Sequence, residues 1–168
     1  MNLLILLNKN QTEQKQQTDY NMKKIINKIS LIYYSVYTAT IISAVFIFLN
    51  KDNGALIDSK SGLGITLTDF VILYMLLSIP LALGGFYRMA KKWRLIEDEK
   101  KKFNEYQKGA VLRLLIIGIG LIGSIIVFYL LRDVSLIYCS GIAAISLIFC
   151  KPTEGKIISD LKLEETED

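Results

Sequence analysis

Four residues have properties that could serve a function in an otherwise apolar chain: Arg113, Pro80, Tyr33 and Tyr37. Arg113 lies near the start of an apolar run, where an ionisable side chain is by default a candidate for binding or guiding an ion. Pro80 removes a backbone hydrogen bond and could therefore supply a kink or a hinge. Tyr33 and Tyr37 are four residues apart and could line a ligand pocket or a pore. These four are the candidate functional residues.

Each candidate also has a purely structural interpretation. Arg113 lies about one helical turn from the end of its run, so its long side chain could extend along the helix to the lipid phosphates. A proline inside a membrane helix can simply give a shape that packs well. Tyrosine favours the headgroup level, so Tyr33 and Tyr37 could act as depth anchors, together with Trp93. The sequence favours the structural interpretation for all four residues.

Residues that carry common enzymatic chemistry are missing or badly spaced. The chain contains no histidine, which removes the usual zinc and haem ligand sets. Its two cysteines, Cys139 and Cys150, would lie roughly 16 Å apart on one helix and could not form a disulfide with each other. Small four-span drug exporters need a glutamate in the first span, and the run at 31–49 has no carboxylate. The sequence therefore predicts no catalytic residue, no metal site and no cofactor.

The elements that position the candidates are four apolar runs without Asp, Glu, Lys or Arg. They cover residues 31–49, 70–87, 114–131 and 134–150, and each contains 17 to 19 residues. A helix rises roughly 1.5 Å per residue, so each run about matches the ~30 Å hydrocarbon layer of a bilayer. The sequence predicts an all-α integral membrane protein, a four-transmembrane-helix up-down bundle with spans near 31–49, 69–88, 110–131 and 134–150.

The basic residues between the runs predict the orientation. Of the 20 Lys and Arg residues, sixteen lie before the first run, between the second and third, or after the fourth. Only three lie in the other two gaps, and Arg113 is the last. Cytosolic loops carry the excess of Lys and Arg, so both termini and the central loop should be cytosolic. The natural partner of these residues is anionic lipid at the inner face, and nothing in their distribution indicates nucleic acid.

The chain outside the spans divides into three predicted segments. Residues 1–21 are expected to be disordered or to precede the true start at Met22, and 22–153 to form the membrane domain. Segment 89–108 should be a cytosolic helical segment, either flat on the membrane or part of a hairpin that continues the neighbouring spans. Residues 154–168 form an acidic tail, which could dock on the basic central segment.

Two stretches resemble a known class of protein: 64–93 (GITLTDFVILYMLLSIPLALGGFYRMAKKW) and 149–161 (FCKPTEGKIISDL). They are similar to parts of small bacterial four-span membrane proteins of unknown function, and the resemblance implies no activity and no site. Each span also carries a strip of small residues, such as Gly120 and Ser124, which favours close packing within the chain or with other subunits. We expect an inner-membrane structural or accessory subunit, forming a homo-oligomer or joining other membrane subunits. The alternative is a small oligomeric channel or transporter.

Overall fold

The structure is a computed structural model that describes residues 2–50 and 54–162, with side chains from residue 16 onward. Within these ranges it is all helical. The helices are α1 (Asn2–Leu49), α2 (Gly62–Trp93), α3 (Glu99–Leu131), α4 (Val134–Phe149) and α5 (Glu154–Leu161). The all-α prediction is therefore confirmed for the part of the chain that is described.

Three helices begin at a residue whose side chain accepts a hydrogen bond from the first turn. Ser61 accepts from the Gly64 amide at 3.1 Å, and Asp98 and Asp133 cap α3 and α4 in the same way. Such caps satisfy amide groups that have no partner inside the helix. Helix α2, capped by Ser61, begins seven residues before the predicted span near 69–88.

Three helices are long and apolar enough to cross a membrane: α1 from Gln16, α2 and α3. Helix α4 has only 16 residues, or about 24 Å. It meets α5 at a bend of 79°, and the pair would make a fourth span only if it were counted as one. The bend follows Cys150, where Pro152 prevents the helix from continuing. The described ranges thus contain three to four candidate spans.

Helix α3 is at the centre of the described fold, because it is the one helix that packs against each of α1, α2 and α4. Helices α3 and α4 form a tight hairpin through Arg132 and Asp133. Arg132 has a left-handed backbone (φ 55°) and ends α3. Its guanidinium donates to the Asn50 carbonyl at 2.8 Å, which ties the end of α1 to this hairpin.

Helices α1 and α3 run parallel in a constant register. Contacts along the pair join Thr18 to Glu99, Val36 to Gly118, Phe46 to Tyr129 and Asn50 to Arg132. The two hydrogen-bonded pairs are separated by 81 and 82 residues of chain. The packed length from Thr18 to Asn50 is ~48 Å, which exceeds the ~30 Å of a bilayer core. The pair is therefore long enough to cross a bilayer and to project beyond it.

The segments outside the spans have the following structure. Segment 89–108 is divided between the end of α2 and the start of α3, because the chain turns at 94–98. This is the hairpin arrangement, with no single surface helix over the segment. Residues 1–21 are predicted to be disordered or to precede the true start of the protein. In the structure, helix α1 begins at Asn2 and includes residues 2–21. Whether the native protein starts at Met22 stays a prediction.

Candidate functional site

A cluster of three aromatic side chains joins α2 to α3 near the 94–98 turn. The ring centroids of Phe86, Trp93 and Tyr106 lie 5.4 to 6.1 Å apart, and each pair meets edge to face. All three side chains are buried. Gly109 lets the Trp93 ring lie against the α3 backbone, because a Cβ at this position would be 2.9 Å from Trp93 Cζ2. Phe86 joins this cluster to Arg113 of α3.

Arg113 is enclosed by protein. Only 6% of its surface is exposed, and its guanidinium carbon lies 3.9 Å from the centroid of the Phe86 ring. This is a cation–π contact, and the Nε of Arg113 is buried without a hydrogen-bond partner. Among the described residues, the one salt bridge joins Lys108 to Glu105 and does not involve Arg113. Neighbouring helices therefore cover most of the Arg113 side chain. Its extension to the lipid phosphates stays a prediction.

The burial of Arg113 follows from its position on α3. It lies three residues after Ala110 and four before Ile117, and both of these are fully or almost fully buried. Residues at this spacing share one helix face. This face packs against other helices of the fold. The spacing was visible in the sequence, but only the fold shows that neighbouring helices cover this face as far as Arg113.

Lys156 brings a second positive charge close to Arg113. It lies in the first turn of α5, is half-buried, and donates to the Phe149 carbonyl at the end of α4. Burial lowers the pKa of the Lys156 ammonium, and the nearby charge of Arg113 lowers it further. Asp160 is the carboxylate that acts in the opposite direction on this ammonium. The two cations therefore repel each other in the folded protein.

Helix α5 docks against α1 and α2. Ile157 and Leu161 are at most 1% exposed, and Arg94 Nε donates to the Asp160 carbonyl at 2.7 Å. The Tyr106 hydroxyl donates to the Asp160 carboxylate at 3.0 Å. Burial, followed by the charge of Asp160, raises the pKa of Tyr106, so the phenol keeps its proton and remains a donor at neutral pH. Residues 154–162 of the tail therefore dock through apolar burial and hydrogen bonds, with no ion pair among them.

The structure brings three of the four candidate residues to one end of the fold. Tyr33 is buried, with its ring centroid 5.1 Å from that of Tyr37. Both Tyr33 and Arg113 are within electrostatic range of Cys150, at the end of α4. Pro80 lies on an exposed face of α2, which continues as one helix through it. Pro80 therefore does not share a surface with the other three.

Apolar grooves run along the outside of α3. One groove, of about 300 Å³, lies between α1 and α3 and is lined by Ile42, Phe46, Ile126 and Tyr129, among others. Another, of about 420 Å³, lies along α2 and reaches Ile116 of α3. Their linings are almost wholly apolar, which suits lipid chains or apolar helices.

The described residues contain no group of three or more Cys, Asp or Glu side chains that could hold a metal ion. Arg113 and Lys156 place two positive charges beside a buried aromatic cluster, so this arrangement could bind an anion. Comparisons with protein-family models, with curated proteins and with solved structures found no match for this chain.

Proposed function

We propose that the protein is a structural or accessory subunit of a complex in a bacterial inner membrane. The observation that carries the proposal is the exposure of α1. The most apolar 18-residue window of α1 is 6% buried, compared with 39% for that of α3. Helix α1 packs along α3 and leaves most of its apolar surface outside the fold. A second membrane helix could bury that surface.

The interior of the fold supports a packing role. Gly118 of α3 lies against Val36 of α1, and Gly120 lies against Tyr74 and Met75 of α2. Small residues at these points let helix backbones approach closely, which is the usual way that membrane helices associate. The interior around α3 is filled by side chains such as those of Leu114, Ile117 and Leu121. The surfaces left for interaction are therefore on the outside.

The alternative proposal is a small oligomeric channel or transporter. It would use Arg113, Pro80, Tyr33 and Tyr37 around a pore. The enclosure of Arg113 and the position of Pro80 on an outer face argue against one pore lined by all four residues. A pore could form only between copies of the chain.

Photo-crosslinking in cells tests the proposal. A photoreactive amino acid at Phe46, on the exposed part of α1, is expected to give one discrete adduct with another membrane protein that also co-purifies in a fixed ratio. The matched control is Leu76, which is exposed on α2 and should label lipid only. If both positions label only lipid, the subunit proposal is wrong. The channel proposal is supported instead if two results are found together. The probe at Phe46 must crosslink two copies of this chain, and liposomes that contain the protein must show an ion flux that Arg113→Ala abolishes.

A further inference from the structure

Arg113 is a buried cation without a counter-ion among the described residues. Its exposed fraction is 6%, its Nε has no hydrogen-bond partner, and its guanidinium contacts the face of Phe86. An arginine keeps its proton in proteins, so it cannot escape burial by becoming neutral. Burial of an unpaired charge lowers stability unless a ligand supplies the opposite charge. The missing partner is therefore an anion.

The surroundings of Arg113 carry a surplus of positive charge. Lys156 is close enough for the two charges to repel. Arg94 lies near the end of α5, where it donates to the Asp160 carbonyl. Asp160 is the nearby carboxylate, and it already accepts a hydrogen bond from Tyr106. Among the described residues around α5, the cations Arg94, Arg113, Lys151 and Lys156 outnumber the carboxylates Glu154 and Asp160, which leaves a net charge of about +2. A group with one or two negative charges would compensate it.

The depth of the site selects the class of anion. Arg113 and Cys150 lie at the same end of the fold as Tyr33 and Trp93, which are expected at the inner headgroup level. The abundant anion at this level is the phosphate of a phospholipid. A guanidinium can donate two parallel hydrogen bonds to a phosphate, and an ammonium adds a point charge.

We propose that Arg113 and Lys156 bind the phosphate group of one anionic phospholipid at the bend between α4 and α5. This site differs from the general attraction of basic loops to the membrane, because an enclosed arginine holds one lipid in a defined place. It is also independent of the subunit proposal, which concerns the outer face of α1.

Native mass spectrometry of the full chain in a phosphate-free detergent tests the site. The probes are dioctanoyl phosphatidylglycerol, dioctanoyl phosphatidylcholine and inorganic phosphate. One phosphatidylglycerol should bind more tightly than either of the others. Arg113→Gln should weaken this binding about tenfold or more, because it removes a charge-assisted hydrogen bond. Lys156→Gln should weaken it less. The matched control, Arg88→Gln, removes an exposed arginine from the inner end of α2 and should change the affinity less than about twofold.

Two results would overturn the proposal. The first is an unchanged affinity for phosphatidylglycerol in both Arg113→Gln and Lys156→Gln. The second is inorganic phosphate binding as tightly as the lipid, which would mean that a free anion occupies the site. If Arg113→Gln does not fold, Arg113→Lys and Lys156→Gln decide the question. Arg113→Lys keeps the charge and should retain part of the preference for phosphatidylglycerol, while Lys156→Gln should reduce it.

Discussion

The contact between Gly109 and Trp93 predicts a specific effect of adding one methyl group. In Gly109→Ala the new Cβ would lie 2.9 Å from Trp93 Cζ2 and closer still to Cη2. Real Cβ atoms do not approach a carbon so closely, so the ring must move. Trp93 is 8% exposed and is held by Phe86 and Tyr106, so a displacement disturbs the whole aromatic cluster.

The size of the effect can be worked out against a control on the same helix. Overpacking a filled core lowers the free energy of unfolding by about 1–3 kcal/mol. Replacing a helical glycine by alanine raises it by up to about 1 kcal/mol. Gly123, also on α3, has nothing within 4 Å of the added Cβ. Gly123→Ala should therefore show only the gain in helix stability, without overpacking. The two variants should differ by about 1–3 kcal/mol, or about 2–12 °C in Tm.

Trp93 itself reports the change, since it is the one tryptophan of the chain. Thermal unfolding in detergent gives the Tm, and the fluorescence emission maximum gives the environment of the indole ring. We expect Gly109→Ala to lower the Tm relative to Gly123→Ala and to shift the emission to longer wavelength. Equal Tm values and an emission maximum like that of the wild type would refute the packing of Trp93 on Gly109.

Three further predictions test the register, the tail and the orientation. In a background with Cys139 and Cys150 replaced, the pair Val36→Cys and Gly118→Cys should form a disulfide on oxidation, since the two Cβ atoms would be 3.7 Å apart. The control pair, Val36→Cys and Gly123→Cys, should not form one. A disulfide in the control pair alone would exclude the parallel register of α1 and α3. Tyr106→Phe should lower stability by about 1.5–3 kcal/mol at pH 8, because it removes the hydrogen bond to Asp160. The Tyr106 pKa is raised on folding, so this stabilisation is complete below about pH 10 and is lost as the pH rises further; a Tm difference that stays constant from pH 8 to 11 would contradict the assignment. In intact cells, a membrane-impermeant thiol reagent should label the variant Lys60→Cys and leave Lys101→Cys unlabelled. Labelling of Lys101→Cys alone would reverse the predicted orientation.

The limits of sequence-based prediction are clear at the ends of the helices. The predicted span begins near residue 69, whereas the helix that contains it begins at Gly62. Part of the reason is local, because Ser61 can cap it. The rest comes from distant contacts: Gly64 lies against the backbone of Asp58 and the side chain of Leu131. The α4–α5 bend, in contrast, was predictable, because Pro152 acts on its own neighbours in the chain.

The sequence by itself determined that the chain forms long apolar helices. It predicted four spans, and the described residues contain three to four candidates. An uninterrupted apolar run and a capping residue are properties of neighbouring residues, so no tertiary contact is needed to recognise them. Only the tertiary structure decided that Arg113 is enclosed and that Pro80 is not part of the same surface. Whether a side chain reaches lipid or is covered depends on residues far away in the chain, here Phe86 of α2 and Lys156 of the docked α5. A buried charge is visible only when those residues are in place.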